Sequence, residues 1–226
     1  MTTPDLSGVE AITFDCFGTL IDWAGGILAA LRPLADTHGV TLGDDALLAR
    51  YAELEREVEA GAYVRYREVL RRVVRGLFGD GASDGDADTL GRALGTWQAF
   101  PDTVAGLRRL ADRYRLGVLS NVDDDLFEPI LGTLERPFEV VVTAEQVRSY
   151  KPGEGHFREA LARLGLEPGE VLHAAESRFH DVDPAGRLGF RTAWVNRGRS
   201  ASGVSDARPD VEVPSVGALA DLLGVR

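Results

Sequence analysis

Four polar clusters follow strand-like apolar stretches in chain order, and their residue types suit a displacement reaction: Asp15 with Thr19, Ser120 with Asn121, Lys151 after VVVTAEQV, and Glu176 with Asp181 after VLHAA. A carboxylate just beyond a buried strand is costly unless something compensates it, so Asp15 either caps a turn or does chemistry. Each cluster alone also has a bland reading, since Ser and Asn cap helices, Asp starts turns and Lys is usually a solvated charge. Together they supply a nucleophile, a hydroxyl, an ammonium and a second acid, the set a covalent displacement needs if one crevice gathers them. Cys16, beside Asp15, reads as a small buried residue, because no Arg follows at the spacing a thiol phosphatase loop requires.

The elements that would do the gathering are short. Ala11, Ile12 and Phe14 form a strand pattern interrupted by Thr13, and further apolar runs at residues 116–119, 140–142, 171–175 and 192–195 read as buried strands. Helical patterns lie between them, beginning with PDTVAGLRRLADRY. This alternation predicts an α/β fold with a parallel sheet covered by helices on both faces, in which ligands collect at the carboxyl ends of the strands. Residues 23–98 break the alternation with helical material only. Leu47, Leu48, Tyr51, Leu54 and Val58 share one face, as do Val69, Leu70, Val73, Val74 and Leu77, so the block is expected to pack over the sheet's carboxyl edge and exclude water. Inside it, GDGASDGDAD at residues 79–88 reads as a solvated loop. Asp84, Asp86 and Asp88 imitate a calcium loop, but Thr89 and Gly95 stand where Gly and Glu are required.

The composition narrows the partners. With 226 residues, 36 acidic against 25 basic and a formal charge of −11, the surface would repel a polyanion, so no nucleic acid is expected. No apolar run approaches the roughly 20 residues that span a bilayer, so no membrane is expected either. One cysteine, and a start without a basic and apolar leader pattern, point to the cytoplasm. His38, His156 and His173 lack zinc spacing, and neither a Walker A run, a GxGxxG fingerprint nor a GxSxG elbow is present.

The stretches DCFGTLID (15–22), LSN (119–121), YKP (150–152) and ESRFHD (176–181) resemble the haloacid dehalogenase superfamily of hydrolases, in a context covering nearly the whole chain. The resemblance implies a Rossmann-like doubly wound parallel sheet with an inserted all-helical cap, residues 1–22 and 99–226 forming the core and 23–98 the cap. It also implies Asp15 as nucleophile, Ser120 and Lys151 positioning charge, and Asp181 serving water. Phe17 stands where the superfamily's phosphatases carry a second Asp that protonates the departing alcohol. Losing a positioned general acid typically costs about 10²- to 10⁴-fold, whereas a halide leaves without a proton.

The function expected is therefore hydrolytic dehalogenation of a short 2-haloalkanoic acid through an aspartyl ester. That is similar to the L-2-haloacid dehalogenase branch, which also has an aromatic residue at this place. Phe17, Thr19, Asn121, Arg178 and His180 are the expected substrate-binding residues, with no cofactor required, a small anionic substrate as partner, and a monomer or homodimer as the assembly. ESRFHD also resembles the phosphatases' metal signature, in which Asp15, Glu176 and Asp181 would hold Mg²⁺, so a Mg²⁺-dependent phosphohydrolase is the alternative. A catalytically silent binding module, with Phe17 and Arg178 obstructing the pocket, is the third. Phe157 stands six residues after Lys151 where the branch has Tyr. Arg65 and Arg67 either face the site or are solvated helix charges, His180 is a base or a packing residue, and Trp23 and Trp97 line a hinge or the core.

Overall fold

The computed structural model describes residues 6–198 and 208–225. Its centre is a parallel sheet of six strands: β1 (Ala11–Phe14), β2 (Arg115–Ser120), β3 (Val140–Thr143), β4 (Val171–Ala175), β5 (Arg191–Val195) and β6 (Val211–Val213), in the order β3-β2-β1-β4-β5-β6. Every strand expected from the apolar runs is present. β1 lies in the middle, paired with β2 and β4, and all four of its residues are fully buried. The edge strand β6 escapes the apolar pattern because it is three residues long, carries a polar centre at Glu212 and sits next to a proline.

Alternation along the strands divides the core in two. Ile12, Phe14, Leu116, Val118, Leu172 and Ala174 join one apolar cluster with Leu107 of α6 (Thr103–Ala111) and Leu219 of α11 (Val216–Leu222). Ala11, Leu119, Val140 and Val171 join the other with Phe157, Ala160 and Leu164 of α9 (Gly155–Leu164). Both faces of a parallel sheet are thereby covered, as its continuous hydrophobic strands require.

Between β1 and α6 the chain is helical: α1 (Trp23–His38), α2 (Asp44–Glu59), α3 (Tyr66–Phe78), and the short α4 (Asp84–Ala87) and α5 (Thr89–Ala93). Leu47, Tyr51 and Leu54 of α2 and Val69, Leu70, Val73 and Val74 of α3 are buried as their spacing predicts, whereas Leu48, Val58 and Leu77 are half-buried. The Gly/Asp run is not a plain loop. Residues Gly79–Gly81 make a 3₁₀ turn and Ser83 opens α4 with a capping box shared with Asp86. Two orphan amides are satisfied there by short side chains, which composition alone does not disclose. Where the chain leaves and re-enters the sheet, Asp22 N donates to Gln98 O at 2.9 Å and Phe100 N donates to Leu20 O at 3.0 Å. Among the described residues no helix is long and apolar enough to cross a membrane.

The first turn of α3 has no cap of its own; Asp123, fully buried, supplies it from the sheet side by accepting from Tyr66 N at 2.8 Å and Arg67 N at 2.9 Å. Asp123→Ala strands both donors, so it is expected to lower unfolding stability by about 1–3 kcal/mol, read as a lower urea midpoint at unchanged slope. Asp123→Asn keeps one acceptor and should recover part of the loss.

Candidate active site

β1 ends at Phe14, yet Asp15 still extends the ladder by donating its amide to Ala174 O at 3.1 Å. The chain then turns tightly: Cys16 O accepts from Leu20 N (2.7 Å) and Ile21 N (3.0 Å), and Gly18 N donates to Ile21 O (2.8 Å). Gly18 has φ 92°, and a β carbon there would lie 2.8 Å from Trp23 Nε1, so both backbone and space demand glycine. The turn carries Thr19 back over the carboxylate. Its hydroxyl donates to Asp15 Oδ2 at 2.8 Å and accepts from Glu176 N at 2.9 Å, tying the ends of β1 and β4 together.

Lys151 completes the centre. Its Nζ donates to Asp15 Oδ1 (2.8 Å), Asp181 Oδ1 (2.6 Å) and Leu119 O (2.8 Å), which uses all three hydrogens. Lys151 is 2% exposed, Asp181 1% and Asp15 7%. Burial disfavours the ammonium, but the two carboxylates outweigh it and hold Lys151 above its ordinary range. Burial likewise pushes the Asp181 carboxyl up, and Lys151 with the His173 hydrogen bond overrides it, leaving Asp181 well below the usual carboxylate range. Asp15 is shifted upward, chiefly by burial and against Lys151, with the Asp181 charge adding to the rise. One ammonium between two carboxylates leaves the crevice short of positive charge.

Sequence reasoning missed the residue that steadies Asp181. His173, fully buried in β4, meets Thr13 Oγ1 with Nδ1 at 2.9 Å and Asp181 Oδ1 with Nε2 at 3.0 Å, its ring edge-on to Phe157 at 5.2 Å. The only signal is a lone polar ring inside an apolar strand. Phe157, at the position where the related branch has Tyr, is a core residue supporting that ring.

The other expected residues divide. Ser120 is fully buried, and its Oγ has no hydrogen-bond partner among the described residues. Its carbonyl faces His156 Nε2 at 3.1 Å, whose pKa is lowered to about 3, burial being the main cause. Asn121 serves the backbone, where substrate binding is expected of it. Its Oδ1 accepts from Lys151 N (2.8 Å) and its Nδ2 donates to Lys151 O (3.1 Å), so the amide clamps the lysine's peptide. Phe17 is half-buried against Trp97 (centroids 5.5 Å apart, planes at 82°) and Phe127 (6.4 Å), an apolar wall two residues beyond the carboxylate.

His180 lies in the π-turn Arg178–Val182 with Nδ1 3.1 Å from Ser177 Oγ, its pKa lowered to about 4, first by burial, so the ring is neutral at pH 7. Arg178 stacks over Trp194 at 5.4 Å. Arg65 pairs with Asp125 (2.9 Å) and Glu145 (3.0 Å), and Arg67 with Asp125 (2.8 Å), so both guanidiniums join helices instead of facing Asp15.

The same geometry bears on the magnesium set. Asp15 Oδ1 and Asp181 Oδ1 both face Lys151, Asp15 Oδ2 faces Thr19, and among the described residues no group of three or more His, Cys, Asp or Glu is gathered as metal ligands. An ammonium therefore occupies the position between the two carboxylates, and the near-octahedral oxygen cage that Mg²⁺ takes is not gathered among the described residues.

Over this centre α2 places a polar face that its sequence disguises. Glu55 Oε1 accepts from Tyr51 Oη at 2.7 Å and Tyr66 Oη at 2.6 Å. One turn on, Glu59 Oε2 lies 3.4 Å from Asn121 Nδ2. Tyr150, the residue before Lys151, donates to Val64 O at 2.8 Å.

A family model described as haloacid dehalogenase-like hydrolase matches residues 9–182. The chain is 27% identical to (S)-2-haloacid dehalogenase 4A of Burkholderia cepacia, over 85% of each protein. It is 26% identical to a phosphoglycolate phosphatase of Salmonella paratyphi A, over 97% of this chain and 94% of that one. The solved structure of a defluorinating L-2-haloacid dehalogenase superposes with a TM-score of 0.80 at 26% identity, covering 99% of both chains.

Proposed function

The chain belongs to the haloacid dehalogenase-like hydrolases, and from that premise we propose that it hydrolyses the carbon–halogen bond of a short 2-haloalkanoic acid with Asp15 as nucleophile. The observation that carries this reading is the aromatic wall of Phe17, Trp97 and Phe127 at the place where a leaving alkoxide would need an acid. A halide needs none.

In the first displacement an Asp15 carboxylate oxygen bonds to C2 of the substrate as the carbon–halogen bond breaks, and the bonding pair leaves with the halide. Lys151 and Thr19 aim the attacking carboxylate, and the buried Ser120 hydroxyl is free to donate to charge that develops nearby. In the second, water adds to the Asp15 carbonyl carbon of the ester, and the carbon–oxygen bond within that ester breaks to return the carboxylate. The products are the 2-hydroxy acid, halide and one proton. Asp181 would orient that water, and its hydrogen bonds with Lys151 and His173 support the assignment. In this reading the protein is a cytoplasmic monomer or homodimer whose reaction requires no cofactor.

The test is halide release from a panel of 2-chloro- and 2-fluoroalkanoates alongside phosphate release from acyl phosphates and phosphonates, each with Mg²⁺ and with EDTA. Halide release unchanged in EDTA is the expected result. Phosphate release that requires Mg²⁺, with no halide from any member, overturns the proposal in favour of a phosphohydrolase.

A further inference from the structure

The two displacements ask different things of one centre. The first needs the Asp15 carboxylate, aimed by Lys151 at Oδ1 and by Thr19 at Oδ2. The second needs a water held against the Asp15 carbonyl carbon once that carboxylate has become an ester, and Asp181 is the carboxylate left to hold it. How Asp181 is itself held therefore bears on the second step far more than on the first.

Two donors meet on a single oxygen of Asp181. Lys151 Nζ reaches Oδ1 at 2.6 Å from the segment after β3, and His173 Nε2 reaches it at 3.0 Å from inside β4; neither uses Oδ2. The terminal torsion of an Asp side chain is broad and roughly two-fold, so one donor leaves the two oxygens free to exchange places. A second donor from another element removes that freedom. The imidazole is in turn fixed from behind: Thr13 and His173 are register partners across β1 and β4, both fully buried, with Thr13 Oγ1 2.9 Å from Nδ1. A carboxylate only accepts, so Nε2 carries the hydrogen toward Asp181, and in the neutral ring Nδ1 accepts from the threonine hydroxyl. Phe157 and Phe190 stand edge-on to the ring at 5.2 Å and 6.5 Å. A polar ring inside a strand buried on both faces has a desolvation cost that an apolar side chain would not, and here the bond it makes ends on the second acid of the site.

We propose that His173 is a positioning residue for the second displacement: backed by Thr13, it fixes the rotation of the Asp181 carboxylate so that Oδ2 meets the water that attacks the ester at Asp15. No proton passes through the imidazole in this role. The proposal rests on the aspartyl-ester reading for the reaction and on the Thr13–His173–Asp181 geometry for the assignment.

Rapid-quench single turnovers with enzyme in excess over 2-chloropropionate separate the two steps. Halide release reports the first, and decay of the carboxyalkyl mass on the peptide containing residue 15 reports the second. In His173→Leu, halide release is expected within about threefold of the parent while ester decay slows about 10- to 100-fold, the scale on which a misplaced group is felt. At steady state kcat and KM should then fall together, with kcat/KM retained. His173→Gln keeps an N–H donor near the Nε2 position and should restore most of the decay rate. Thr13→Val keeps the ring, removes its backing, and should slow decay without changing halide release, so it tests the role even if His173→Leu does not fold. Equal slowing of both steps, as a merely architectural ring would give, overturns the proposal. So does ester decay at the parental rate in both His173→Leu and Thr13→Val. If the halide panel is blank and residue 15 instead carries phosphate from an acyl phosphate, slower loss of that phosphate in the same variants keeps this role while the proposed reaction falls. A parent that forms no adduct on residue 15 with any substrate overturns both.

Discussion

Asp15→Asn is expected to fold as the parent does and to lose about 10⁴- to 10⁶-fold in halide release, the scale on which removal of a covalent nucleophile is felt. The loss is chemical. An amide oxygen is a feeble nucleophile, yet the side chain keeps its shape and can still accept from Lys151 Nζ, which stands 2.8 Å from Asp15 Oδ1 in the parent. Folding should not suffer, because the change converts one ammonium between two carboxylates into one ammonium facing one. Mass spectrometry of rapidly quenched parent enzyme should find the dehalogenated carboxyalkyl fragment esterified to the peptide containing residue 15, and the variant should carry none. Residual turnover within tenfold of the parent would move the nucleophile elsewhere, and a mass increment on another peptide would say where.

Lys151→Met carries the second large effect, and it falls on stability as well as rate. Removing one partner from a buried ion cluster costs about 3–5 kcal/mol, since the remaining charges lose their compensation. Here two carboxylates, one of them 1% exposed, would be left facing each other. The pH dependence follows by sign. In the parent, Asp181 is held below the usual range, so the stability it contributes is complete above about pH 4 and disappears as acid carries the pH down through its folded value. In the variant both carboxyls would be raised above their unfolded values, so the defect is greatest at neutral pH and shrinks as protonation neutralises them. Urea unfolding of parent and variant at pH 8 and pH 5 should show the gap narrowing at the lower pH. A gap independent of pH would mean that Lys151 contributes packing alone.

Much of this centre can be read from residue order. Asp15, Ser120, Lys151 and Asp181 each follow an apolar run, and a parallel sheet delivers every such position to the same edge, so their convergence is a consequence of topology. His173 and Asp123 are hidden for opposite reasons. The first is a polar ring whose partners, Thr13 and Asp181, come from other segments, and the second sits in an Asp-rich run whose three carboxylates look alike, although it is Asp123 that accepts from the first amides of α3. Glu55 and Glu59 lie off the apolar stripe of α2 and look like ordinary surface charges until Tyr66, Asn121 and Lys151 are laid against them. The arginine pair at residues 65 and 67 misleads as a guide because its carboxylate partners lie 58 to 80 residues away in sequence.

The cap that Asp123 provides for α3 joins two things usually free to vary separately. Its backbone belongs to the loop that begins at Ser120 and Asn121, and its carboxylate belongs to the helices. Those helices cannot rock outward without either shedding two amide contacts or dragging the serine off its station. A bulky guest that props them ajar would thus disarm the chemistry it has come for, so discrimination by size is written into turnover more than into affinity.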